Sequence, residues 1–109
     1  MAHSVFVLES AKDDYREIKK YVIQKFGVKV WQDSDLKYKV MLNNIGEFPV
    51  AGLVPDEAVQ LGLQGIRERV VGQTRVIYEV VSHRIYVHMF VSTRHDFMAM
   101  LADRLLKAE

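Results

Sequence analysis

The segment from residue 74 to 106, TRVIYEVVSHRIYVHMFVSTRHDFMAMLADRLL, constrains this chain more than any other. Two runs rich in β-branched and aromatic residues flank a Ser82-His83 turn, which is the pattern of a β-hairpin. The second run leads straight into Thr93-Arg94-His95-Asp96, and an amphipathic stretch with Phe97, Met98, Leu101 and Leu105 on one side closes the chain. A strand pair ending in a capped helix needs a layered α+β arrangement, because the apolar side of each element must be covered by another.

The first half supplies that cover. Residues 4–8, SVFVL, read as a strand apolar enough to be covered on both faces. Ser10 followed by Asp13 reads as a helix cap, after which Ala11, Tyr15, Ile18 and Val22 recur at helical spacing up to Gly27. Lys19, Lys20 and Lys25 lie toward the helix end, where cations complement its dipole. A second helix is expected over 28–45, with Trp31, Ser34, Tyr38, Met41 and Ile45 inward. Leu36 and Val40 fall off this stripe beside Lys37 and Lys39. They read either as ordinary surface apolar groups or as part of a shallow groove for a partner helix.

Phe48-Pro49 ends the helices, and 56–63 is expected to be irregular. Strands are then expected over 64–71, 74–81 and 84–92 as an antiparallel meander. With no repeat, low-complexity tract or linker, residues 1–109 form one domain. The expected order is β-α-α-β-β-β-α.

Register sharpens the meander. A two-residue turn at Ser82-His83 puts Val76, Tyr78 and Val80 on one face with Ile85, Val87 and Met89, the core face. Arg75, Ile77 and Glu79 then share the other face with Tyr86, His88 and Phe90. If Ile66 and Val70 join that same core, the turn at Gly72 has odd length or a bulge. In that register Arg67, Arg69, Arg75, Tyr86 and His88 form one exposed basic and aromatic face.

Charge and composition exclude several classes. The chain has 109 residues, 50% hydrophobic and 27% charged, so it folds rather than remaining disordered. It has no cysteine, which removes disulfides and thiol chemistry, and its four histidines lack metal-ligand spacing. No apolar run approaches the roughly 18 residues of a membrane span, and a signal-peptide layout is missing at the N-terminus, so a cytoplasmic protein is expected. The net charge of +1 argues gently against nucleic acid as the main ligand. Every lysine but Lys107 lies at or before residue 39, and every arginine but Arg16 at or after residue 67. Because arginine suits planar contact with carboxylate or phosphate, the functional surface is expected in the second half.

Thr93 and Asp96 read as a capping pair for the last helix. Arg94 and His95 are not needed for capping and are free to project, with His95 a candidate acid or base near neutral pH. No phosphate loop, nucleophile elbow or paired-carboxylate motif is present.

The order of elements, the TRVIYEV run at 74–80 and the ending TRHDFMAMLADRLL together resemble the ParE/RelE superfamily of toxin–antitoxin toxins. Thr74 stands where the family's strand usually begins with an aromatic residue. The L-A-D-R-L-L ending is similar to that of the ParE branch. The resemblance implies one of two activities. RelE-type members are ribosome-dependent mRNA endonucleases that use basic residues on the sheet and usually a C-terminal tyrosine. Arg75 and Arg94 match two of those basic positions, and Arg67 and Arg69 lie near two more. The tyrosine position falls in Phe97-Met98-Ala99, which has no hydroxyl, although His95 could substitute.

ParE-type members instead bind and inhibit DNA gyrase, and the ending of this chain favours them. The resemblance therefore implies a non-enzymatic toxin, needing no cofactor, metal or small-molecule ligand. Its target contacts would come from Arg67, Arg69, Arg75, His88, Arg94, His95 and Arg104. A nuclease would use Arg75, Arg94 and His95, with the ribosome and mRNA as partners. Either branch implies a cognate antitoxin in a hetero-oligomer, with Leu36, Val40 and Tyr86 as candidate contacts. A degenerate toxin that only binds its antitoxin is the third reading.

Overall fold

A computed structural model describes residues 3–92 and 96–106 of the chain. Strand β1, Ser4–Val7, runs directly into helix α1, Glu9–Phe26. The join is tight because the Leu8 amide still donates to the Val87 carbonyl at 3.1 Å. The helix therefore begins one residue before Ser10, and no side chain caps it. Ser10 lies inside the first turn, where Glu9 faces the positive end of the helix dipole. Nor is β1 covered on both faces. It is an outer strand, so Ser4 and Phe6 are exposed while Val5 and Val7 turn toward the helices.

Gly27 joins α1 to α2, Val28–Glu47, at φ 95°, a conformation L side chains rarely adopt. The expected inward stripe is present, with Trp31, Tyr38 and Ile45 buried. Tyr15 is the centre of the hairpin. Its ring lies 5.2 Å from that of Trp31, 5.4 Å from Tyr38 and 5.1 Å from Phe90. Its hydroxyl donates to the Asp35 carboxylate across the two helices. Edge-on ring pairs of this kind add to area burial and orient the hairpin on the sheet.

A short 3-10 turn, Pro49–Ala51, follows, and then helix α3, Asp56–Gln60, where irregular chain was expected. Pro55 immediately before the helix and Asp56 and Glu57 in its first turn favour a start there, and Ala58 is buried beneath it.

Strands β2, Ile66–Val71, β3, Thr74–Val81, and β4, Arg84–Ser92, form the expected meander. The sheet order is β1-β4-β3-β2, with β1 parallel to β4 and the other pairs antiparallel. Two registers differ from expectation. Val71 pairs with Thr74, so the Gly72-Gln73 turn has two residues and no bulge. A bulge lies instead at His88, because Tyr78 opposes Val87 while Ile77 opposes Met89. The alternation past His88 is thereby reversed. Phe90 joins Val76, Tyr78, Ile85 and Val87 on one face, and Met89 joins Ile77 on the other.

The physical reason is that the sheet has two apolar faces, not one. Ala11 and Ile45 from the hairpin complete the first core. Ala58, Phe97 and Leu101 complete the second, with Ile66, Ile77, Met89 and Val91 beneath them. Ile66 therefore needs no odd turn to be buried. Helix α4, Phe97–Leu106, supplies most of the second cover. Its cap is Asp96 itself, whose Oδ1 accepts from the Ala99 amide at 3.1 Å, so Asp96 precedes the helix and does not lie within it. Thr93 lies outside the described residues.

Candidate functional site

The single basic face does not form. Arg67 and Arg69 alternate with Ile66, Glu68 and Val70 along β2, on the hairpin side of the sheet. Arg75 lies on the α4 side with Glu68. An even turn at Gly72 forces this separation.

Each described arginine of the expected set is engaged within the chain. Arg67 Nη1 donates to the Gly52 carbonyl at 2.9 Å, and Arg69 Nη1 to Asn44 Oδ1 at 2.9 Å. They hold the turn after α2 and the end of α2 against β2. Arg75 is the most tightly bound. Its guanidinium donates to Glu68 at 2.6 and 3.0 Å and to Glu57 at 3.2 and 3.3 Å. It also lies 3.9 Å from the centre of the Phe97 ring. Its side chain is 19% exposed. The Glu68 hydrogen bond is the chief cause holding Arg75 above its ordinary pKa, and burial opposes it. Its own hydrogen bond from Arg75 holds the Glu57 carboxyl below its ordinary value, against burial.

Arg104 reaches from α4 to Asp14 on α1 at 2.5 and 2.9 Å and to the His88 carbonyl at 3.3 Å. His88 Nε2 lies 2.9 Å from Glu79 Oε1. The structure thus brings Arg104 and His88 together, and keeps Arg75 apart from Arg67 and Arg69. Arg94 and His95 lie outside the described residues.

The other candidates are more accessible. Leu36 and Val40 are 64% and 63% exposed and project from the outer side of α2. A cleft of about 560 Å³ opens between Tyr21, Phe26, Lys37, Gln73, Phe90 and Met100, and neither Leu36 nor Val40 lines it. Tyr86 stacks on Phe6 at 5.7 Å on the part of the sheet beside β1. A further apolar surface was not anticipated. Phe48, Val50, Leu53, Val54, Val59 and Val70 are each at least half exposed. Leu53 is bridged to Glu68, so this surface reaches the outer edge of β2. Clustered apolar side chains between Phe48 and Val59, interrupted by prolines, were the available signal.

Among the described residues no group of three or more acidic or histidine side chains is placed to hold a metal, and no helix is long and apolar enough to cross a membrane.

No family model and no curated protein matches the chain. A chain of the solved structure titled "Chromosomal ParDE TA system from P. aeruginosa" does match, with a TM-score of 0.69 over 84% of this chain and 96% of that one. The chain has the ParE-type toxin fold. At 11% identity the likeness lies in the backbone arrangement and not in shared side chains.

Proposed function

We propose that this chain is the toxin of a type II toxin–antitoxin module, that it inhibits DNA gyrase by direct binding, and that a cognate antitoxin neutralises it. The ParE-type fold supports the toxin reading. The engagement of Arg75 favours a binder over a nuclease. Four of its five N–H donors are committed to two carboxylates and its face lies on Phe97, so no two-pronged fork is left for a phosphate. This argues against the role that the alternative nuclease reading gives Arg75. The absence of a hydroxyl in Phe97-Met98-Ala99 points the same way.

In this reading the chain acts in the cytoplasm, where gyrase is found, and without a cofactor. Leu36 and Val40 offer the antitoxin an apolar pair on the hairpin, and Tyr86 offers it a ring on the open part of the sheet. Arg94 and His95, with the outward edges of Arg67 and Arg69, are the target contacts.

The purified protein would be tested against gyrase in supercoiling and cleavage assays, and in parallel against translating ribosomes carrying a defined mRNA. Loss of supercoiling that the co-expressed antitoxin reverses is the expected result. Codon-positioned mRNA cuts with gyrase untouched would replace this reading by the endoribonuclease. Inactivity in both assays with retained antitoxin binding would leave the degenerate toxin.

A further inference from the structure

The bulge at His88 breaks the hydrogen-bond ladder of β4 at the point where its neighbour ends. Strand β1 pairs with β4 only as far as Val87. Beyond it the His88 carbonyl and the Phe90 amide face outward, with no strand of the described residues beside them. Both are taken up by one ion pair. The Phe90 amide donates to Asp14 Oδ2 at 3.2 Å, and the His88 carbonyl accepts from Arg104 Nη1 at 3.3 Å. Asp14 and Arg104 are joined at 2.5 and 2.9 Å, with side chains 11% and 25% exposed. Asp14 comes from α1, on the hairpin face, and Arg104 from α4, on the opposite face.

The geometry points to a latch. The Asp14–Arg104 pair makes undocking of α4 and exposure of the His88 carbonyl and the Phe90 amide a single event. When α4 leaves, Arg104 withdraws from both Asp14 and His88, and the partner that fixes Asp14 on Phe90 is lost with it. The same movement uncovers Ile77, Met89 and Val91, which α4 covers through Phe97 and Leu101. An apolar face and a strand edge with one donor and one acceptor thus become available together. Neither would be offered while the latch is closed.

Amide hydrogen exchange by NMR on the full chain tests the coupling, because it resolves local opening from global unfolding. In Arg104→Met the Phe90 amide should exchange faster by on the order of tenfold, while the Tyr78 amide in the first core holds its rate. In Asp14→Asn the Leu101 amide of α4 should accelerate by a similar factor, although Asp14 meets α4 through Arg104. The double variant should be no faster than either single one at these amides. An unchanged Leu101 amide in Asp14→Asn would overturn the proposal. So would additive effects in the double variant, or an equal acceleration of every amide, which is the mark of a pair that only stabilises the whole fold. If Arg104→Met does not fold, Arg104→Lys keeps the charge without the two-pronged contact and carries the same comparison.

Discussion

Arg75→Met is the most informative single substitution, because it separates a structural arginine from a catalytic one. Methionine keeps much of the apolar contact with Phe97 but removes four charge-assisted hydrogen bonds to Glu57 and Glu68. Breaking a fully buried ion pair costs ~3–5 kcal/mol, since the remaining charge is stranded. An exposed pair is worth ~0–1 kcal/mol. Here the side chains are 19%, 14% and 29% exposed, so the two carboxylates can rehydrate in part. The loss of cation–π contact adds ~0.5–1 kcal/mol. A destabilisation of about 2–3 kcal/mol follows from these bounds. With urea slopes of ~1–3 kcal/mol per molar, the unfolding midpoint should fall by roughly 0.7–3 M. The decisive control is Glu57→Gln with Glu68→Gln. In that background Arg75→Met should cost well under half as much, because no charges are left stranded. A loss below about 1 kcal/mol in the parent, or the same loss in both backgrounds, would refute the reasoning. If the proposed gyrase reading holds, inhibition by the surviving folded fraction should persist, since Arg75 is assigned no target contact once it is held internally.

Four further outcomes follow from particular residues. Tyr78→Phe removes the hydroxyl that donates to the Pro49 carbonyl at 2.7 Å and should cost ~1 kcal/mol in thermal or urea unfolding. Gly52→Ala should cost ~1–3 kcal/mol, because its Cβ would lie 2.2 Å from that hydroxyl, and combining it with Tyr78→Phe should recover part of the loss. The depressed carboxyl of Glu57 gives a sign for acid behaviour. Its stabilising contribution is complete above the ordinary Glu value of 4.5 and is lost as pH falls through its lowered folded value, so Glu57→Gln should flatten the acid limb of a stability–pH curve. Leu36→Ser with Val40→Ser should leave stability within ~0.5 kcal/mol, yet weaken antitoxin binding by about tenfold or more in titration calorimetry.

The elements were legible because their signals are local. Helical spacing from Ala11 to Val22, the Gly27 joint and the period-two runs of β3 and β4 each describe a segment on its own terms. Three features depended on partners far along the chain and were not legible. The start of α1 is set by Leu8 reaching Val87, not by Ser10. Helix α3 gains its place from Ala58 under the second core. The bulge at His88 is tolerated because Asp14 and Arg104, 90 positions apart, satisfy the groups it frees. A pattern reader that assumes one core must place Ile66 and Met89 with Val76. A sheet covered on both faces buries them on the other side at no cost in polar exposure.

The arginine-rich second half misled for a related reason. Arginine was read as a sign of an external surface because its planar fork suits carboxylate and phosphate. The fork is equally suited to carboxylates and carbonyls of the same chain, and here it is used that way. Arg67 binds the carbonyl of Gly52, Arg69 the amide oxygen of Asn44, Arg75 two glutamates, and Arg104 an aspartate and a carbonyl. Each closes a junction that hydrophobic contact alone leaves with unpaired polar groups: the turn after α2, the end of α2, the α3–β2–α4 corner and the open part of β4. A small domain with two cores has many such junctions for its size, and each unpaired buried group would cost ~1–3 kcal/mol. Arginines that serve the fold in this way are poor candidates for catalysis, since moving one to a phosphate would break a junction. Groups the fold does not consume are better placed for the proposed binding: Leu36 and Val40 on α2, the Tyr86 ring, and the apolar residues from Phe48 to Val59 beside the outer edge of β2.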